Sequence, residues 1–185
     1  MKVDLFWLSV VLLVVAFVGW RLSALAGRID RLHHRIDLAR GSLDAQLLRR
    51  ARAAEALGAS GLIDPASALV LAQAASNSRN ADPADAIERG IVESEMSRDL
   101  RAVFADQQAV DELRAIPDGQ ELVDDLARAC TQVAMARRFL NDGVQAALLL
   151  RRGRLVRWFR LAGRAPRPQM FEMDDQPPEA FAALG

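Results

Sequence analysis

The chain has no tyrosine, one cysteine, one lysine and two histidines among 185 residues. A single cysteine excludes an intrachain disulfide and any multi-thiolate metal site. His33 and His34 are adjacent, so on a helix they point about 100° apart and cannot form an i, i+4 metal pair. Eleven Gly and seven Pro are too few for a fibrous or low-complexity protein. Neither charge dominates: 24 basic residues meet 24 acidic ones, which argues against a globally basic nucleic-acid binder. No stretch alternates in period two with β-branched residues, so strands are not expected. There is no Gly-rich phosphate loop, no Ser-His-Asp set and no ligand cluster, so neither an enzyme nor a bound cofactor is expected.

What the chain does have is apolar matter, 51% hydrophobic residues against 26% charged. Leu5 to Trp20 reads LFWLSVVLLVVAFVGW, sixteen residues without a charge. As a helix that run spans about 24 Å, against a hydrocarbon core of about 30 Å. Leu22 and the snorkelling arm of Arg21 close most of the difference. Trp7 and Trp20 stand near the two ends, where amphipathic rings favour the membrane interface. Residues 1–4 read as a short N-terminal tail and 5–22 as a transmembrane helix, anchored by Leu5, Trp7 and Trp20. A cleavable signal ending near Ala26, in Ala24-Leu25-Ala26, is the rival reading, and a buried core helix is another. Asp4, the immediate Arg21 and the unbroken helical register weigh against cleavage. Residues 21–52 carry eight Arg and three Asp, net +5. The positive-inside rule then places the N-terminus outside and the rest of the chain in the cytoplasm.

Beyond the span, residues 23–163 read as an all-α domain, an antiparallel bundle with a long, heptad-patterned first helix. Its stripe is Leu22, Leu25, Ile29, Leu32, Ile36, Ala39 and Leu43, continued after a phase slip by Leu47, Ala54 and Leu57. Gly58 and Gly61 end it. Asp64-Pro65 predicts a helix start, with the helix running to about Ser76 and a loop over 77–80. Asp82-Pro83 repeats the signal and predicts a helix to about Ala105, with Ile87, Ile91, Leu100, Val103 and Phe104 on its apolar side. Pro117 opens a last long helix striped by Leu122, Leu126, Cys130, Val133, Ala136 or Arg137, Leu140, Val144 and Leu148, with Gly153 as a bend before 155–161. Residues 164–185 carry four prolines and read as a mostly extended tail.

Residues 136–144, ARRFLNDGV, resemble the Arg-aromatic-Tyr-Asn-x-x-Val stretch of LemA-family proteins, with Leu140 where Tyr is typical. LDAQLLRRA at 43–51 is similar to that family's first-helix pattern, and Phe171-Glu172 resembles its aromatic-plus-acid ending. A phenylalanine-proline element of the family appears here as Trp158-Phe159. The resemblance implies a membrane-anchored helical domain and supplies no catalytic residues.

Several residues invite a functional reading. Asn141, a poor residue for a helix interior, sits with Asp142 beside Arg137 and Arg138, and is expected either to fix helix register or to contact a partner. Cys130 is expected to be a small buried core residue. Glu88, Glu93, Glu95 and Asp99 read as a solvated acidic face. Residues 151–167 hold seven Arg and no acid, while residues 53–150 are net −8. Arg151, Arg154, Arg157, Trp158, Phe159 and Arg160 are candidate lipid contacts of an interfacial helix. The same residues could instead end a bundle helix, with the two aromatics in its core.

The expected function is a single-pass, membrane-anchored scaffold or adaptor without catalysis or nucleic-acid binding. Alternatives are a peripheral membrane organiser that uses 151–164 on anionic lipid, and a secreted or envelope helical protein. Leu25, Ile29, Leu32 and Ile36 could support self-association as a coiled coil, unless the chain's own bundle covers them.

Overall fold

The three-four spacing that follows Trp20 keeps one side of a single helix apolar, and α1 (Lys2–Ala59) runs through both the apolar run and the stripe without a break. It stops where Ser60 Oγ donates to the Leu57 carbonyl at 2.7 Å and Gly61 takes φ 73°, the left-handed region that favours glycine. The computed structural model describes residues 2–153, 157–159 and 167–184. Among these the chain is all-helical, 82% helix with no strand. The remaining helices are α2 (Pro65–Asn80), α3 (Ala86–Val103), α4 (Gln107–Arg114) and α5 (Pro117–Arg151), followed by a closing 3₁₀ turn (Glu179–Leu184).

Short aspartate caps set three helix starts. Asp64 Oδ1 accepts the Ala66 and Ser67 N–H groups, both at 3.0 Å, with Pro65 opening α2. The Ser67 side chain foremost, and then these backbone bonds, hold the Asp64 carboxyl below its ordinary value. Asp85 caps α3 through Ile87 and Glu88, and Asp106 caps α4 through Gln108.

The chain packs as two compact units, Met1–Leu38 with Asp142–Gln169 and Ala39–Asn141 with Met170–Gly185. In the first, Ile29, Ile36, Val144 and Ala147 are buried. A Cβ added at Gly143 would lie 3.5 Å from Ile36 Cγ1, ordinary contact. Residues following Gly143 pack with residues preceding Ile36, so here the two helical segments run antiparallel.

In the second unit, Ala51, Ala54 and Leu57 of α1 meet Leu71 and Ala75 of α2, Met96 and Leu100 of α3, Val110 and Leu113 of α4, and Val123, Leu126 and Cys130 of α5. Alanine is frequent on these buried faces and lets the helices approach closely. Two aromatic rings close one end: Phe181 of the 3₁₀ turn packs on Phe104 with centroids 5.1 Å apart.

The structure departs from the sequence reading in four places. The loop expected over 77–80 is the last turn of α2. There Gln73 Nε2 donates to Asn77 Oδ1 at 2.8 Å and Asn80 Nδ2 to Ser76 Oγ at 3.3 Å, so the polar residues bond within the helix. Asp82-Pro83 forms a turn rather than a helix start; Asp82 Oδ1 accepts the Ala84 N–H at 2.8 Å, and the helix begins after Asp85. Helix α4 was not anticipated. Finally, Ile87 and Ile91 are 77% and 55% exposed, while Arg89, Gly90, Glu93, Met96, Ser97 and Leu100 form the buried side of α3. That side is polar enough to escape a search for apolar periodicity.

Candidate functional site

The apolar run builds the first element. Among the described residues one helix, α1, is long and apolar enough to cross a membrane, and its most apolar window is unburied. Trp7 and Trp20 are 61% and 65% exposed, with Val11, Leu12, Leu13, Val15 and Phe17 between them also exposed. Exposed side chains this large and this contiguous are unfavourable in water. Leu5 is helical, and its side chain lies outside the described residues.

The basic segment after α5 builds the second. Arg151, Arg152, Arg157 and Arg167, with Leu148, line a cleft of about 300 Å³. Trp158, next to Arg157, is 84% exposed, and Phe159 beside it has its ring centroid 6.1 Å from the indole. The two aromatics are therefore not core residues of the bundle. Arg154 and Arg160, and the stripe partners Leu155 and Ala162, lie outside the described residues.

Asn141 holds the chain's own tail. Its Nδ2 donates to the Phe171 carbonyl at 3.1 Å and its Oδ1 accepts the Phe171 N–H at 2.9 Å. A neighbouring strand would satisfy a backbone in the same way, which explains an Asn inside a helix. Arg137 Nε donates to Asp175 Oδ2 at 2.7 Å. Arg101 binds both oxygens of Asp174 and donates to the Gln176 carbonyl at 2.8 Å. Ser94 Oγ accepts the Asp174 N–H at 2.9 Å. Arg138 is exposed. The acid-rich, proline-containing tail is thus an ordered strap, read by side chains of α3 and α5.

A buried polar network was not found by sequence reasoning. Arg50 and Glu93 are both fully buried, with Nη2 2.7 Å from Oε2. Arg50 Nη1 donates to Ser97 Oγ at 3.0 Å, and Ser78 Oγ donates to Glu93 Oε1 at 2.8 Å. Glu93 therefore does not belong to a solvated acidic face, though Glu88 and Glu95 are exposed. Asp99, partly buried and next to Glu95, has its carboxyl raised, chiefly by burial. A signal was present: Arg50 falls in register with Leu43, Leu47, Ala54 and Leu57, at the phase slip of the stripe.

Cys130 is buried, and burial pushes its thiol up while Arg50 opposes the shift. Among the described residues the thiol has no hydrogen-bond partner, and its burial works against the thiolate form that a nucleophile needs. His33 is half-buried and His34 exposed, and among the described residues no group of three or more His, Cys, Asp or Glu could hold a metal ion. A separate cleft of about 200 Å³ is lined by Leu62, Ile63, Val103, Phe104, Val110 and Leu113, together with Asp64 and Ser67. It brings together no chemistry beyond a helix cap.

No family model, no curated protein and no solved structure matches this chain.

Proposed function

We propose that the protein is a single-pass, membrane-anchored helical scaffold or adaptor, LemA-like in organisation and without catalysis, with its helical region in the cytoplasm. One observation carries the reading: the exposed apolar surface of α1 from Trp7 to Trp20. An aqueous protein would bury such a surface, whereas a bilayer solvates it. The arginine-rich flank supports the orientation, with eight Arg against three Asp over residues 21–52. The burial of Cys130, which works against a thiolate, and the ordered tail support an interaction role over a reaction. A protein partner would meet the exposed side chains of the helices, among them Phe139 and Met135 on α5 and Ile87 and Ile91 on α3.

The test is topology. Cys130→Ala removes the one native thiol, and Ala105→Cys places a new one in the exposed link between α3 and α4. Cells are labelled with a membrane-impermeant thiol reagent before and after lysis, alongside fractionation. Labelling only after lysis, of a chain in the membrane pellet, is the expected result. Labelling of intact cells reverses the orientation, and a soluble, shortened chain shows a cleaved signal instead.

A further inference from the structure

The basic cleft is more specific than a charged surface needs to be. Residues 143–171 contain seven Arg and neither Asp nor Glu. Four of those arginines, Arg151, Arg152, Arg157 and Arg167, line one cleft of about 300 Å³. That is about ten times the volume of a liquid water, enough for a headgroup and not for a folded partner. Four guanidinium groups at one cleft make an electropositive site for an anion. Each presents a planar fork that matches phosphate oxygens two at a time.

We propose that this cleft binds the phosphomonoester headgroup of a membrane lipid. This rests on the membrane-anchored reading above. A phosphomonoester offers three terminal oxygens and a charge of about −1.5 to −2 at pH 7, where a phosphodiester offers less of both. The geometry favours a lipid over a free phosphate on two counts. Arg157 is followed by Trp158 and Phe159, both exposed, and such a pair suits the interfacial zone of a bilayer. The cleft also belongs to the same unit as the apolar run. Gly143 packs at Ile36, and the two helices are antiparallel there. Arg151 therefore lies about 12 Å along α5 from that contact, level with Arg28 of α1, and Trp20 lies about 12 Å further along α1. The Arg151 end of the cleft thus lies on the Trp20 side of the Gly143 contact, toward the apolar run.

The experiment is native mass spectrometry of the full chain in neutral detergent, with added phosphatidic acid, phosphatidylglycerol or phosphatidylcholine. One phosphatidic acid should be retained, about tenfold more tightly than phosphatidylglycerol. Arg152→Gln with Arg157→Gln should weaken that binding about 30-fold, the change expected from two arginines near an anionic surface. Both side chains are exposed, so the fold should persist, with unchanged far-ultraviolet dichroism as the check. Arg98→Gln with Arg128→Gln, exposed arginines of the other unit, should leave lipid binding unchanged. Equal retention of phosphatidylglycerol, or full binding by the Arg152/Arg157 variant, overturns the proposal. Displacement of the lipid by an equal concentration of inorganic pyrophosphate overturns the lipid assignment in favour of a soluble phosphate. Failure here with the chain still in the membrane pellet removes only the cleft. A soluble chain removes the anchor, which the detergent assay does not require.

Discussion

Arg50 and Glu93, forty-three residues apart, meet at 2.7 Å with neither side chain reaching solvent. Two serines complete the bonding: Ser97 accepts from Arg50, and Ser78 donates to Glu93. Arg50 Nε is left without a partner. The pair ties α1 to α3 and, through Ser78, to α2. Such a pair adds little net stability compared with apolar residues that pack as well, but breaking it strands a buried charge.

Arg50→Met alone should therefore cost about 3–5 kcal/mol, and Arg50→Met with Glu93→Met should recover most of that loss. Thermal unfolding of the purified chain in neutral detergent, followed by helicity, measures both. A single variant as stable as the parent would show that the pair does not hold the three helices together.

Asn141→Ala should release the tail at Phe171. It removes both hydrogen bonds to that residue and leaves a half-buried N–H and carbonyl unpaired, at about 1–3 kcal/mol. Hydrogen exchange should rise across residues 170–176 and stay unchanged in α2. Asn141→Asp keeps the acceptor but loses the donor, and should fall between the two.

Gly90 has no room for a side chain: a Cβ there would collide with the Glu172 carbonyl oxygen. Because the obstacle is backbone, the tail itself must move. Gly90→Ala should raise protease cleavage after Glu172, although alanine is the better helix former. An unchanged digestion pattern would mean that the strap does not lie on α3.

Acid should loosen the same strap. The Arg101 guanidinium, ahead of the opposing effect of burial, holds the Asp174 carboxyl below its ordinary 3.8. A carboxyl with a lowered folded value stabilises the bound state fully above 3.8 and loses that contribution as pH falls through the lower value. Tail protection, corrected for intrinsic exchange, should be flat above pH 5, about one unit clear of the carboxyl's ordinary range. It should decline below that range. Asp174→Asn should show weak protection without the acid-dependent step.

The proposed anchor can be broken by charge. An arginine at the centre of a spanning helix costs about 2.5–3.5 kcal/mol on insertion scales. Val11→Arg with Val14→Arg should move the chain from the membrane pellet to the soluble or aggregated fraction. Leu38→Arg, an exposed position beyond the run, should not. Pelleting of the doubly charged variant with membranes would remove the span.

The helices were legible where apolar spacing and caps agreed. Ile29, Ile36, Leu43, Leu47, Ala54 and Leu57 of the first stripe and Leu126 to Val144 of the last are buried as their spacing requires, while Leu32 and Ala39 are only half-buried. Asp64-Pro65 starts a helix because cap and proline act within one turn. Asp82-Pro83 carried the same signal and made a turn, since the competing cap Asp85 lies three residues on. The strap was legible only as something that could not be a helix. Four prolines exclude a continuous helix over 164–185 without saying where the chain goes.

Sequence alone determined an all-helical chain, the uncharged apolar run, and the concentration of seven arginines after α5. Local physics suffices for these, because periodicity, capping and charge are set by neighbours within a few turns. Tertiary structure alone decided that Glu93 is buried against Arg50, that Asn141 grips Phe171, and that Arg151, Arg152, Arg157 and Arg167 share a cleft. Each joins residues that are distant in sequence or turned by a break in the helix. Which polar group meets which depends on how helices of unequal length stack, and the cost of a buried unpaired charge then selects among the packings.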